Sequence, residues 1–306
     1  MPELERDDLF DAFRHRRHYA TTGCRPYIDV RIGGLENGQR RLHSGDITPV
    51  ETAHIGDILS CSNDMFKLDI DISAQAGIER IEVKDGTDVL AHVQPEMERR
   101  MAGNRVRVQC EGAEYRGRSR RVDWDVSLKL HGATPLKTQA VNFWNADCEI
   151  KVEDDAVNWG YVTTGGAHAA DVWLNDASMG KLSFTSNITN FDIKLSELDA
   201  NDLVEDCGGL GKAVRVTRLP DEPLPATLTH QVSVPLSSGQ ERCLFIRVVF
   251  EDEHIAWTSP IYVTRCDCRT QHGKQRVARN PVCSHRIQSA SVCRCSKYSA
   301  LDAQIA

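Results

Sequence analysis

Arg16, Arg17, Tyr19, Thr21 and Thr22 bring two guanidiniums and several hydroxyls into one short stretch of the chain. Guanidinium forks and hydroxyls beside a turn are groups that hold a phosphate or a carboxylate. This stretch is therefore the candidate anion-binding site, although the same residues also suit helix termination and packing. His15 and His18 flank the two arginines, and a cationic neighbourhood disfavours a divalent metal. No His-x-His pair occurs anywhere in the 306 residues.

Other groupings carry less chemistry. Asp64, Asp69 and Asp71 invite a calcium or acid/base role. However, Asp69 and Asp71 fall on one face of an alternating segment, which reads as a solvated face that opposes edge pairing. His43-Ser44-Gly45-Asp46 holds the three residue types of a hydrolase triad, but loop neighbours do not converge as a triad must. Gly208-Gly209-Leu210-Gly211-Lys212 imitates a phosphate loop, with Ala213 where the hydroxyl residue belongs, and reads as a flexible loop. Thr163-Thr164-Gly165-Gly166 reads as a turn. Trp124, Trp144, Trp159, Trp173 and Trp257 supply the aromatic area of a carbohydrate platform, yet Trp124 and Trp173 sit in alternating strands that account for them as core.

Near the C-terminus, Cys266 and Cys268 form one Cys-x-Cys pair and Cys293 and Cys295 another, with Cys283 and His285 between. These are weak zinc candidates, because structural zinc sites space their cysteines by two to four residues. From residue 265 onward the chain turns basic and contains no Phe or Trp. The expectation is a disordered tail over 265–306 whose thiols are incidental.

The elements that must position these groups are mostly strands. Phe66, Leu68, Ile70 and Ile72 alternate with Lys67, Asp69 and Asp71, and Trp124, Val126, Leu128 and Leu130 alternate in the same way. Asp85-Gly86 marks a hairpin between Ile78–Val83 and Val89–Val93. Many short strands, punctuated by Gly, Pro, Asn and Asp, indicate a mainly β protein of sandwich architecture. Residues 3–17 read as a helix, acidic at its start and basic at its end, with Leu9, Phe10 and Phe13 on one face. Residues 95–101 and 195–203 read as short helical connectors, with Ser196 capping the second. With 37 basic and 44 acidic residues the net charge is −7, which does not suggest nucleic acid as a partner. No apolar run approaches the roughly 20 residues of a membrane span. The acidic N-terminus has no secretory h-region, so the expected location is the cytoplasm.

The string from Leu9 through Ala12-Phe13-Arg14-His15-Arg16-Arg17-His18-Tyr19-Ala20-Thr21-Thr22-Gly23 resembles the end of the catalytic domain in a family of the PHP (polymerase and histidinol phosphatase) superfamily. Members carry a similar arginine-rich phrase ending in tyrosine-alanine-threonine-threonine-glycine, and a β-sandwich follows it. Ile78-Glu79-Arg80-Ile81-Glu82-Val83, Val141-Asn142-Phe143-Trp144-Asn145 and Ala256-Trp257-Thr258-Ser259-Pro260-Ile261-Tyr262-Val263 are similar to later pieces of that family. The resemblance spans residues 3–264.

It implies residues 1–23 as the remnant of a catalytic-domain end. The spacing adds that Ile78–Val93 reads as the early strands and Leu244–Val263 as the final hairpin of an immunoglobulin-like sandwich over 24–103 and 239–264, with a second β-unit inserted over 104–238. The family resembles metal-dependent phosphoesterases, but its His-x-His metal centre is missing here. The implied function is a noncatalytic accessory part of such a phosphoesterase, with no activity from this chain alone. The alternatives are a subunit that completes an active site with a separately encoded barrel and, more weakly, a carbohydrate-binding module. Under the first two readings a barrel docks on Leu9, Phe10 and Phe13, and divalent metals enter only with that barrel.

Overall fold

The computed structural model describes residues 5–145, 147–198 and 202–266, and almost all of them lie in strands or the turns between them. The protein is mainly β, with two short helices, Arg6–Arg14 (α1) and Met97–Ala102 (α2). The expected tail over 265–306, with Cys268, Cys293 and Cys295, lies outside the described residues beyond Cys266. Of the tail cysteines, Cys266 is described: it is exposed, and its N–H donates to the Cys61 carbonyl at 2.9 Å.

The first sandwich packs a nine-stranded sheet on a four-stranded one. In the smaller sheet, Met65–Ser73 lies between Tyr27–Gly33 and Thr227–Pro235. Phe66, Leu68, Ile70 and Ile72 point into the core, and Lys67, Asp69 and Asp71 point outward, as the period of two requires. In the larger sheet, the long strand Glu241–Phe250 is central. It pairs on one side with Ile78–Asp85 and on the other with two short strands in succession, Ile255–Thr258 and Ile261–Arg265. Gly86 takes a left-handed φ of 59° at the hairpin from Ile78–Asp85 to Asp88–Val93. One apolar cluster, from Cys24 to Val83 and from Val234 to Val263, fills this sandwich.

The second β-unit is also a sandwich, of two five-stranded sheets. Arg105–Ala113 is central in one and Val122–His131 in the other, and Trp124, Leu128, Phe184, Val108 and Val216 are among the residues of a separate core. Its strands run from Arg105 to Leu219. The insert expected over 104–238 is thus shorter: Thr227–Pro235 pairs with Met65–Ser73 and belongs to the first sandwich. A strand over 228–234 is legible in the sequence, but alternation alone does not say which sheet it joins. Ser196 does not cap a helix; Leu195–Glu197 is a single 3₁₀ turn entered from Lys194 without a side-chain cap bond.

Candidate functional site

Two places gather polar groups that the elements hold in fixed positions. The first is the N-terminal segment. Helix α1 ends where Arg16 adopts a left-handed φ of 57°, a conformation that stops the helical hydrogen-bond ladder. The Arg16 Nε donates to the Gly56 carbonyl at 2.9 Å, and Arg17 lies 3.9 Å from the buried Asp57 carboxylate, which Arg40 also faces at 3.6 Å. Tyr19–Thr21 then adds a short strand beside Ile255–Thr258. The Tyr19 hydroxyl donates to the Pro26 carbonyl at 2.6 Å, and burial raises its pKa. Thr22 Oγ1 accepts the Ile255 N–H at 2.9 Å and meets His254 Nδ1 at 3.2 Å. Thr21 lies in the strand, opposite Ala256.

The structure does not converge these five side chains on one point. Arg16 and Arg17 reach the adjacent Gly56 and Asp57, Tyr19 reaches Pro26 and Thr22 reaches Ile255, so the group anchors the segment. His15 and His18 diverge: His15 sits edge-on to His43 with ring centroids 5.3 Å apart, and His18 packs on Phe13. Among the described residues no three His, Cys, Asp or Glu side chains gather so as to hold a metal.

The anchored segment carries α1 with its apolar side chains uncovered. Leu9, Phe10 and Phe13 are 48%, 45% and 56% exposed, and no residue of the helix is buried. A short helix normally persists by burying its apolar stripe. Here the stripe faces solvent while the helix end is fastened.

The second place is the seam between the sandwiches. On Arg105–Ala113, Val106, Val108 and Cys110 point into the inserted core, and Arg105, Arg107 and Gln109 point the other way. That opposite face is covered by Glu79 and Arg80 of Ile78–Asp85 and by the turn containing Glu251 and Glu253. Arg107 is the hub. Its Nε and Nη2 grip both oxygens of Asp171 at 2.7 and 3.0 Å, and Nη1 reaches Glu79 at 3.1 Å and Glu253 at 3.0 Å. Arg80 pairs with Glu79 and with Glu82, which also receives Arg247 at 3.0 Å. Arg105 bridges Asp171 and Glu251. Arg100 of α2 donates to the Pro95 and Glu79 carbonyls.

Burial alone would raise both buried glutamates. The surrounding guanidiniums of Arg80, Arg107 and Arg100 win at Glu79, whose pKa is lowered. Glu253 sits beside Glu79 and has Arg107 as its close cation; burial wins there and pushes its carboxyl up to about 8. Sequence reading missed Arg107, Asp171 and Glu253 as a group. Arg105-Val106-Arg107-Val108-Gln109 is a regular alternation whose polar half reads as a wet face.

The tryptophans do not form one platform. Trp124 and Trp159 are core residues, their indole N–H groups bonded to Thr163 Oγ1 at 3.0 Å and to His168 Nε2 at 3.2 Å. His168 is buried, its Nδ1 has no partner among the described residues, and desolvation lowers its pKa to about 3. Trp173 lines a cleft of about 460 Å³ at the seam, with Lys137 Nζ 4.4 Å and Arg105 5.4 Å from its ring centroid. Trp144 is 80% exposed on a separate loop. Asp69 and Asp71 accept bonds from Gln231 and Thr229 on the outer face of the small sheet.

Comparison with known proteins finds no matching family model, no similar curated protein and no matching solved structure. No helix among the described residues is long and apolar enough to cross a membrane.

Proposed function

We propose that this chain is a noncatalytic accessory β-sandwich part of a PHP-like phosphoesterase, and that it docks a catalytic barrel through α1. The observation that carries this reading is the geometry of the N-terminal segment. Arg16, Arg17, Tyr19 and Thr22 fasten the segment to the first sandwich, while Leu9, Phe10 and Phe13 stand uncovered beside that anchor. Burying one large apolar side chain contributes about 1.5–3 kcal/mol, so three such residues on a fixed element suit a docking knob. The resemblance of the Leu9–Gly23 string to the end of a PHP catalytic domain names the partner.

In this reading the barrel supplies the metal ligands and the chemistry, and this chain supplies position. The expected result for the full chain alone, assayed on a generic phosphomonoester with manganese or zinc, is no hydrolysis. Metal-stimulated cleavage by the lone chain, lost on His18→Ala, overturns the reading.

A further inference from the structure

Three arginines from three strands meet in a second cleft at the seam, about 300 Å³ in volume. Arg80 comes from Ile78–Asp85, Arg215 from Leu210–Leu219 and Arg247 from Glu241–Phe250. Arg215 gives Nη1 to Asp202 at 2.9 Å, but its Nε is buried with no partner among the described residues. Arg247 gives Nη1 to Glu82 and keeps its side chain 26% exposed. Glu82 and Glu79, the carboxylates paired with Arg247 and Arg80, lie behind the wall and are not part of the lining.

The opposite wall is made of glycine. The two runs that read in the sequence as a plain turn and a flexible loop, Thr163–Gly166 and Gly208–Lys212, come together here around Gly112. The Gly112 N–H donates to the Gly166 carbonyl at 3.0 Å, and the Gly165 N–H returns to the Gly112 carbonyl at 2.9 Å. Gly112 itself has φ 94° and no room for a Cβ, which would strike the Gly211 carbonyl. By contrast, nothing stands within 4 Å of where a Cβ would project from Gly165, Gly166 or Gly211. The wall is therefore bare backbone facing open space, held in shape by Gly112, and a ligand can approach it closely.

The lining holds three guanidiniums and two carboxyl groups, Glu111 and Glu253, while Glu79, Glu82 and Asp202, which pair with the guanidiniums, lie outside it. Glu111 accepts from Gln109 at 3.0 Å and pairs with Arg215 at 3.5 Å. Glu253, the other carboxyl, turns to Arg107 and keeps its proton below about pH 8. Guanidiniums present planar donor forks that match oxyanions. The volume lies at the small end of ligand pockets, which run from about 300 to 1,000 Å³.

We propose that this cleft binds a compact oxyanion, the phosphate or carboxylate group of a small molecule, between Arg80, Arg215 and Arg247 and over the glycine wall. The proposal is independent of the docking role of α1. The test is calorimetric titration of the full chain at neutral pH and constant ionic strength, with inorganic phosphate in one arm and succinate in the other. The expected result is saturable one-site binding in at least one arm; the arm that binds tells a phosphate from a carboxylate ligand. Gly166→Leu, which fills open space, and Arg247→Gln each weaken that binding by at least about tenfold. Arg31→Gln, on the outer face of the small sheet, leaves it unchanged. Circular dichroism and melting confirm that the variants are folded, and Gly166→Leu decides if Arg247→Gln is not. Absence of saturable binding in both arms, or wild-type affinity in folded Gly166→Leu, overturns the proposal.

Discussion

Arg107 and Asp171 form a bidentate pair, with N–O distances of 2.7 and 3.0 Å, on adjacent strands of the inserted sandwich and on the face that meets the first sandwich. Both side chains are almost wholly buried. The remaining Arg107 nitrogen, Nη1, bonds Glu79 and Glu253 of the other sandwich, so one guanidinium joins the two halves of the molecule.

Removing the hub leaves Asp171, Glu79 and Glu253 buried with fewer cations. Arg107→Leu should destabilise the protein by about 3–5 kcal/mol, the usual cost of breaking a buried ion pair on one side only. Urea unfolding measures it. A loss under about 1 kcal/mol would mean that the seam is wet and the pairs are screened.

Glu253 should make stability depend on pH. Its folded value of about 8 lies above the ordinary 4.5, so its proton is held more tightly in the folded state. The stability this supplies is complete below the unfolded value and is lost as pH rises from there through about 8. The groups facing it are Arg107, Glu79, Arg80 and Glu111. His168 works in the opposite sense, gaining stability as pH rises from about 3 to its ordinary 6.5. Above that range the Glu253 effect stands alone of the two. The urea midpoint should therefore fall from about pH 6.5 to pH 8 in the wild type, level off above that as far as this group is concerned, and fall much less in Glu253→Gln. Equal slopes in the two proteins would remove Glu253 from the account.

Gly56 should control the anchoring of the N-terminal segment. It has φ 85°, and a Cβ there would strike the His15 and Arg16 carbonyls. Gly56→Ala should lift Arg16 off the Gly56 carbonyl and free α1 together with Tyr19–Thr21. Hydrogen exchange of residues 15–22 should rise towards unprotected rates while the cores of the two sandwiches keep their protection. Unchanged protection in that segment would show that the Gly56 contact does not hold it.

Much of this architecture is legible in the residues. Phe66, Leu68, Ile70 and Ile72 announce a half-buried strand, Asp85-Gly86 announces the hairpin of Ile78–Asp85 with Asp88–Val93, and the dipole-matched charges of α1 announce a helix. The seam was not legible, because alternation reports that a face is polar and says nothing of what covers it. Arg105, Arg107 and Gln109 look like a solvated row until a second sandwich is laid upon them. The anion site expected at Arg16, Arg17, Tyr19, Thr21 and Thr22 shows the converse. Nearness in sequence brings suitable groups together, and the backbone then directs Arg16 and Arg17 to Gly56 and Asp57, Tyr19 to Pro26 and Thr22 to Ile255. Gly165, Gly166 and Gly211 lie in runs that read separately as a turn and a flexible loop, and their cleft is assembled from segments far apart in the chain.

The most direct test of the docking role is a binding measurement. A PHP-family barrel is taken from a protein that carries the same arginine-rich Tyr-Ala-Thr-Thr-Gly string and is cut off before that string. It is titrated with the full chain and with a Leu9→Ser/Phe13→Ser double variant. Both substituted residues are about half exposed, so the variant should keep its own stability within about 1 kcal/mol. The account predicts saturable binding by the wild type and a loss of at least about tenfold in the variant. No binding by the wild type, or equal binding by the variant, would contradict it.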